Sequence, residues 1–204
     1  YRHVWLTFAA PVHVAHWGTY VATTNLVGSN ATIVVQTDVT NQSLQAMTGS
    51  LTSTIRDANN VAVTNLTVPI NIAAGAHLVV TQTVTMAANL WSLQTPYLYN
   101  LVSTVSNQNA VADIYNTSFG VRMVSWDGVN GVFINGRHVE IQGMCNHQDH
   151  AGCGTAMPDR GQYYRIERLK QMGVNACRTS HNPPTPAFLD ACDRLGMLVL
   201  DETR

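Results

Sequence analysis

The charged residues of this 204-residue chain are distributed very unevenly, and this divides the sequence into two regions. Residues 1–120 contain five charged side chains, whereas the remaining 84 residues contain eighteen. The first region is rich in Thr, Val, Asn and Ala, a composition typical of exposed β structure with little helix. We therefore expect two domains of different fold class, with a boundary near residue 121.

The first region has the pattern of a β-sandwich. In residues 31–39, every second side chain from Ile33 to Val39 shares one face, as in a strand with one buried side. Seven strands are predicted, at residues 19–24, 31–39, 50–56, 61–70, 77–85, 97–105 and 111–118. Seven short strands at this spacing favour an antiparallel, immunoglobulin-like sandwich over residues 18–121.

The second region alternates strands with helices. Asn135-Gly136 lies between two short apolar runs, which predicts a tight hairpin. The expected strands are residues 139–144, 174–179 and 197–200, and the expected helices are residues 160–172 and 186–195. Asp159 and Thr185 are expected to cap the two helices. This β-α-β-α-β order predicts right-handed crossovers and a parallel sheet.

Polar side chains follow each of the three predicted strands of the second region. The groups are Asn146, His147, Asp149 and His150; Arg178, Thr179, Ser180, His181 and Asn182; and Asp201 and Glu202. Because the C-terminal ends of parallel strands share one rim, where the active sites of (β/α)8 barrels lie, we expect these groups to form one site. The alternative is that each group only caps its own loop.

Several motifs resemble those of the family 2 glycoside hydrolases. The stretches GVFINGRHVEIQGMCNH (131–147) and GVNACRTSHNPPTPAFLDACDRLGMLVLDE (173–202) are similar to the entry into the catalytic barrel of that family. LWSLQTPYLYNL (90–101), SFGVR (118–122) and YRHVWL (1–6) resemble its late sandwich segment, its exit into the barrel and the end of its N-terminal jelly roll. The resemblance therefore extends over most of the chain.

The resemblance implies a multidomain β plus α/β fold, an immunoglobulin-like β-sandwich followed by the first part of a TIM (β/α)8 barrel. Residues 1–17 are then the end of a preceding jelly-roll sugar-binding domain, residues 18–121 the sandwich, and residues 122–204 the N-terminal part of a truncated catalytic barrel. An intact barrel needs about 250 residues. We therefore expect an internal fragment with about three of the eight barrel strands.

The activity implied by the resemblance is that of a retaining exo-glycosidase that hydrolyses terminal β-galactosides. Two carboxylates about 5–5.5 Å apart carry out this reaction. In the family both glutamates lie on later strands, so we expect neither in this chain and no activity of the chain alone. Glu202 lies on the third strand and is not expected to be catalytic. The alternatives are β-glucuronidase or β-mannosidase specificity, or a non-catalytic carbohydrate-binding or interaction module.

According to the resemblance, the site residues within this chain are ones that support catalysis. His147 and His181 match family histidines that contact the sugar. Arg178 matches the arginine that orients the nucleophile and keeps it ionised, a task that suits a guanidinium fork. The residues expected to support these three are Asn146, Asp201 and Glu202. Asn182 departs from the aromatic residue often found after this histidine, which leaves the preferred sugar open.

No metal or cofactor is expected within this chain, because the Mg²⁺ ligands of the family, where present, lie beyond residue 202. A rival possibility is a zinc site formed by Cys145, His147, His150 and Cys153, although this spacing fits no familiar zinc finger. A Cys145–Cys153 disulfide is also open. The four tryptophans could stack on sugars, but packing inside or between domains is favoured for Trp5, Trp17, Trp91 and Trp126.

The net charge of −1 gives no electrostatic reason to expect nucleic acid or an anionic membrane as partner. No apolar run approaches the length of a transmembrane helix. The expected partner is a β-linked oligosaccharide or glycoside. Low charge and abundant Thr and Asn favour an extracellular or periplasmic location without settling it, and the sequence leaves the oligomeric state open.

Overall fold

The computed structural model describes residues 3–108 and 110–202, which form two units. The sandwich unit consists of residues 6–89 and 98–123. The barrel unit consists of residues 3–5, 90–97 and 124–202. Neither helix of the described residues combines the length and the apolar character needed to cross a bilayer.

The sandwich unit contains two antiparallel sheets. Its strands are β1 (Val12–Val27), β2 (Asn30–Asn41), β3 (Met47–Arg56), β4 (Ala62–Ile72), β5 (His77–Ala87), β6 (Tyr99–Asn107) and β7 (Ala110–Phe119). One sheet has the order β1-β2-β5 and the other β4-β3-β6-β7. Each of the seven predicted strands corresponds to one of these elements.

Apolar side chains of the two sheets form the core of the sandwich unit. In β2, Ile33, Val35 and Val39 are completely buried, which confirms the predicted inward face. The core cluster consists of Val12, Val14, Val39, Met47, Leu51, Ile70, Ile72 and Val105. The hydroxyl of Ser53 donates to Gln82 Oε1 at 2.6 Å inside this core, so two buried polar groups satisfy each other.

The first strand begins earlier than the sequence pattern predicts. Residues 12–17 were expected to belong to a preceding domain, but Val12 and Val14 are buried and pair with Asn41 and Val39 of β2. The pairing register shifts between Val14 and Thr19. Because such an irregularity breaks the two-residue alternation, the pattern did not reveal that these residues continue the sheet.

The barrel unit contains the predicted alternation of parallel strands and helices. An antiparallel sheet comes first, made of β8 (Val124–Asp127), β9 (Gly131–Ile134) and β10 (Arg137–Val139). The next elements are β11 (Gly143–Cys145), α1 (Asp159–Gln171), β12 (Ala176–Arg178), α2 (Pro186–Leu195) and β13 (Leu198–Leu200). β11, β12 and β13 pair in parallel in that order.

The predicted hairpin is confirmed, but the predicted strand after it is divided in two. Asn135 and Gly136 have φ angles of 52° and 75° between β9 and β10, as a tight hairpin turn requires. The expected strand 139–144 splits into β10 and β11. Asn175 holds the intervening residues, since its Oδ1 accepts from Gln142 N–H and its Nδ2 donates to Glu140 O, both at 2.8 Å.

The predicted cap of α2 is confirmed, whereas the predicted cap of α1 is wrong. Thr185 caps α2 as predicted, with its side chain accepting from Phe188 N–H. Asp159 does not cap α1, because Pro158 occupies the cap position and Asp159 is the first helical residue. A carboxylate in the first turn still suits the helix dipole. Met172 is the residue that ends α1, and it is 67% exposed.

Residues 90–97 are bound into the barrel unit by buried contacts. Trp91 is completely buried, and its indole Nε1 donates to Asp193 O at 2.8 Å. Lys170 Nζ donates to Leu93 O and Gly196 O, each at 2.9 Å. The apolar cluster of this unit consists of Ile166, Val174, Cys177, Phe188, Ala191, Cys192 and Met197.

The close approach of Leu93 to the end of α2 is tested by comparing two glycines. Gly173 and Gly196 both have positive φ, 86° and 73°, so alanine at either position costs about 1–2 kcal/mol. A Cβ at Gly196 would also lie 2.4 Å from Leu93 O, whereas a Cβ at Gly173 meets nothing within 4 Å. Urea unfolding should show a larger loss of stability for Gly196→Ala than for Gly173→Ala. Equal losses would contradict this packing.

Candidate active site

The register of the parallel strands brings their C-terminal ends to one edge. Cys145 of β11 pairs with Arg178 of β12, which pairs with Leu200 of β13. The ladder continues beyond the strands, because Asn146 N–H donates to Arg178 O at 2.9 Å and Thr179 N–H donates to Leu200 O at 3.2 Å. The polar residues that follow the three strands therefore lie side by side, as the sequence predicts.

The carboxylate of Glu202, which follows β13, binds side chains at the end of β12. Arg178 Nη2 donates to Glu202 Oε1, and His181 Nδ1 lies 3.0 Å from Oε2. The backbone N–H of Glu202 donates to Thr179 Oγ1 at 2.9 Å. Because an ionised carboxylate only accepts hydrogen bonds, His181 donates to it from Nδ1.

The charges around Glu202 keep it ionised. Burial by itself raises the pKa of this carboxyl, but the hydrogen bond and positive charge of Arg178, together with the contact with His181, outweigh it. The net result is a pKa below the usual value for glutamate. Glu202 is therefore an anion at neutral pH, and it pairs with both Arg178 and His181.

The two histidines expected to contact a sugar lie next to each other. The rings of His147 and His181 are 5.6 Å apart between centroids and nearly perpendicular, at 86°.

Arg178 also lies close to Cys145. The Nη1 atom of Arg178 is 3.8 Å from Cys145 Sγ. The proximity of Ser180 and then of Arg178 lowers the pKa of the Cys145 thiol. Arg178 thus lies between Cys145 and Glu202.

The other predicted supporting residues have distinct environments. Asp201 Oδ1 accepts from Thr179 Oγ1 at 3.3 Å. Asn146 Nδ2 is buried, and no partner for it is present in residues 3–108 and 110–202. Since buried polar groups in proteins are normally paired, this amide is suited to a ligand or water. Asn182 is buried, and its amide donates to Pro183 O at 3.0 Å.

Two residues of this edge were missed as site residues by the sequence reasoning. Thr179 was named only as a polar residue of the rim, yet its hydroxyl bonds both Asp201 and Glu202. Arg165 of α1 donates to the backbone of the loop that carries His147. No residue pattern in the sequence marked Arg165, because its contacts join α1 to a loop about 17 residues earlier in the chain.

The zinc and disulfide possibilities find no support in the described residues. No group of three or more His, Cys, Asp or Glu side chains in residues 3–108 and 110–202 is arranged to hold a metal ion. Cys145, Cys153, Cys177 and Cys192 are all free thiols. Among the tryptophans, Trp91 is buried as predicted, whereas Trp5, Trp17 and Trp126 are exposed.

Comparison with known proteins gives matches in both regions of the chain. The profile described as "Glycosyl hydrolases family 2" matches residues 12–122, and "Glycosyl hydrolases family 2, TIM barrel domain" matches residues 128–204. A β-galactosidase of Bacteroides ovatus is 38% identical, covering 99% of this chain and 24% of its own length. A β-glucuronidase of Formosa agariphila is 29% identical, covering 98% and 22%.

A solved structure has the same fold over nearly the whole chain. It is a family 2 glycosyl hydrolase from Bacteroides cellulosilyticus, with a TM-score of 0.92 and 35% identity over 96% of this chain and 27% of its own. The chain thus spans about a quarter of the length of the proteins it matches. The chain belongs to family 2 of the glycosyl hydrolases, a class of glycosidases whose fold joins a sandwich to a TIM barrel.

The ionised state of Glu202 predicts a pH-dependent contribution to stability. An unfolded glutamate has a pKa of about 4.3, and the folded value is lower. The carboxylate therefore stabilises the fold above that pH, and the stabilisation is lost as the pH falls through the folded pKa. The difference in Tm between wild type and Glu202→Gln should be largest near neutral pH and should narrow towards about pH 3.

A charge control separates this contribution from a general effect of one carboxylate. Glu140 has an exposed side chain, so Glu140→Gln should give no comparable narrowing with pH. If the Tm difference for Glu202→Gln stays constant from acid to neutral pH, the ion pairs of Glu202 do not stabilise the fold.

Proposed function

We propose that the natural full-length protein is a retaining exo-glycosidase that releases terminal β-galactosyl units, and that the edge formed by β11, β12 and β13 binds the sugar. The observation that supports this most strongly is the neighbouring pair His147 and His181, whose rings are 5.6 Å apart. His181 is held by Glu202, in a chain that belongs to the glycosyl hydrolases.

The chemistry of the edge suits a polyhydroxylated, uncharged ligand. A neutral imidazole donates from one nitrogen and accepts at the other, so a pair of histidines can bind sugar hydroxyls without placing a full charge beside them. His181 is oriented before any ligand arrives, because Glu202 receives its Nδ1–H. Such preorganisation is what a transition state requires of its binding groups.

We assign the two carboxylates of the reaction to chain outside residues 1–204. Glu202 is unsuited to the role of general acid, because a general acid must be protonated at the working pH and the pKa of Glu202 is lowered. Its carboxylate is also engaged by Arg178 and His181. The resemblance of the barrel motifs assigns both glutamates to later strands. We propose no cofactor for the sugar-binding edge itself.

We propose β-galactosides, not β-glucuronides, as the substrates for two reasons. Among the relatives that match nearly the whole chain, the β-galactosidase of Bacteroides ovatus is 38% identical and a β-glucuronidase of Formosa agariphila is 29% identical. A glucuronide also carries a carboxylate, and binding it favours a cationic side chain that is not already paired. In the described part of this edge, Arg178 is paired with Glu202 and Arg165 with backbone carbonyls. β-Glucuronidase activity is the second candidate, since such relatives also match the whole chain.

The proposal is tested by hydrolysis of chromogenic β-galactoside, β-glucuronide and β-mannoside. The full-length protein should prefer the β-galactoside, and the 204-residue chain alone should hydrolyse none. His181→Ala should lower kcat/KM on the order of 10²–10³-fold, the usual effect of removing a group that hydrogen-bonds the transition state. His138→Ala is the control, because His138 is exposed on β10 and packs at the edge of Phe133.

Three outcomes would change the proposal. Preference for the glucuronide would select the second candidate. Turnover by the 204-residue chain would return Glu202 to consideration as a reacting group. Sugar binding without hydrolysis, unchanged in His181→Ala, would indicate a non-catalytic carbohydrate-binding module and would contradict the role of this edge.

A further inference from the structure

Arg165 makes an unusual set of contacts with the loop that follows β11. Its Nη1 lies 2.7 Å from His147 O and 3.4 Å from Gln148 O, and its Nη2 donates to Asp149 O. One guanidinium therefore binds three consecutive backbone carbonyls. All three belong to the segment that begins with His147, one of the two histidines proposed to contact the sugar.

The rest of this loop is closed by its own backbone. His150 N–H donates to Gly154 O at 2.9 Å, and Gly154 N–H donates back to His150 O at 2.9 Å. Gly152 and Gly154 have positive φ angles of 88° and 56°, which glycine adopts readily. Residues 147–149 link the end of β11 to the tight turn at residues 150–154, and Arg165 binds this link.

We infer that Arg165 is a positioning residue for catalysis, which holds the backbone of residues 147–149 so that the His147 imidazole meets the sugar beside His181. The inference rests on the proposed function of His147. Arg165 acts through the loop backbone, because both of its terminal nitrogens bond to carbonyls of residues 147–149. α1 provides a rigid support for it, because Ile166, the next residue of the helix, is completely buried in the core of the barrel unit.

The geometry calls for arginine in particular. A guanidinium is planar, carries five N–H donors and stays charged in proteins, so it can bind several carbonyls at once. Burial lowers the pKa of Arg165, while the negative charge of Asp149 acts in the opposite direction. A lysine would present a single compact charge on a flexible stem. It could replace one of these hydrogen bonds but not the whole set.

The experiment compares Arg165→Met with Arg168→Met in the full-length protein, by hydrolysis of the preferred chromogenic glycoside. Arg168 is on the same helix, but it is exposed and bonds Gln171 at 2.7 Å. Arg165→Met should lower kcat/KM by about 10-fold to 100-fold, as expected for a displaced binding group. Arg168→Met should leave it unchanged, and Arg165→Lys should fall between Arg165→Met and wild type.

A double-mutant cycle separates positioning from a general loss of stability. If Arg165 acts through His147, the substitution Arg165→Met should have no further effect on kcat/KM in a His147→Ala background. A full additional loss in that background would overturn the inference. The inference would also be overturned if Arg165→Met had normal activity while His147→Ala was impaired. If Arg165→Met fails to fold by circular dichroism, Arg165→Lys takes its place in the same cycle.

The outcomes also separate this inference from the proposed function. If His147→Ala has wild-type kcat/KM, the proposed role of His147 is wrong and the positioning role of Arg165 falls with it. If His147→Ala is impaired but uncoupled from Arg165, the sugar-binding role stands and only the inference about Arg165 is wrong.

Discussion

The ion pair between Glu202 and Arg178 organises the edge at which the three parallel strands end. Arg178 comes from β12 and Glu202 follows β13, so the pair crosses the junction between two strands. The same carboxylate receives Nδ1–H of His181, and the backbone of Glu202 is held by Thr179. Without this anion, Arg178 would carry an unbalanced charge beside Cys145, and His181 would lose the contact that sets its tautomer.

Other parts of the barrel unit support the residues of this edge. The parallel register aligns Cys145, Arg178 and Leu200 at the strand ends. Arg165 binds the loop after β11 from the side of α1. Residues 90–97 contribute the buried Trp91 and accept Lys170 at Leu93 O. The polar groups therefore stand on a packed apolar layer, and packing of this kind restricts their movement.

Much of this arrangement could be predicted from the sequence, because it depends on local patterns. Alternating burial in β2, the hairpin at Asn135-Gly136 and the cap at Thr185 each follow from a few adjacent residues. The shared edge followed from strand order, because the ends of parallel strands must meet on one side. The family was predicted from the motifs around His147 and His181, and the comparisons show the same family.

The features that the sequence did not reveal are contacts between residues distant in the chain, or irregularities within an element. The shift in register after Val14 obscured the start of β1 in the sequence, and the side chain of Asn175 divides the predicted strand 139–144. The contacts of Arg165 with residues 147–149 depend on the angle at which α1 returns to the sheet, which no residue pattern specifies. The same holds for the choice of Glu202, not Asp201, as the partner of Arg178.

A crystal structure of the full-length protein with bound galactose tests whether the edge formed by β11, β12 and β13 binds the sugar. We expect sugar hydroxyls within hydrogen-bonding distance, about 3 Å, of the His147 and His181 rings, with Glu202 still paired to Arg178. A sugar bound elsewhere, for example against the exposed Trp17 of the sandwich unit, with both histidines unoccupied, would contradict it.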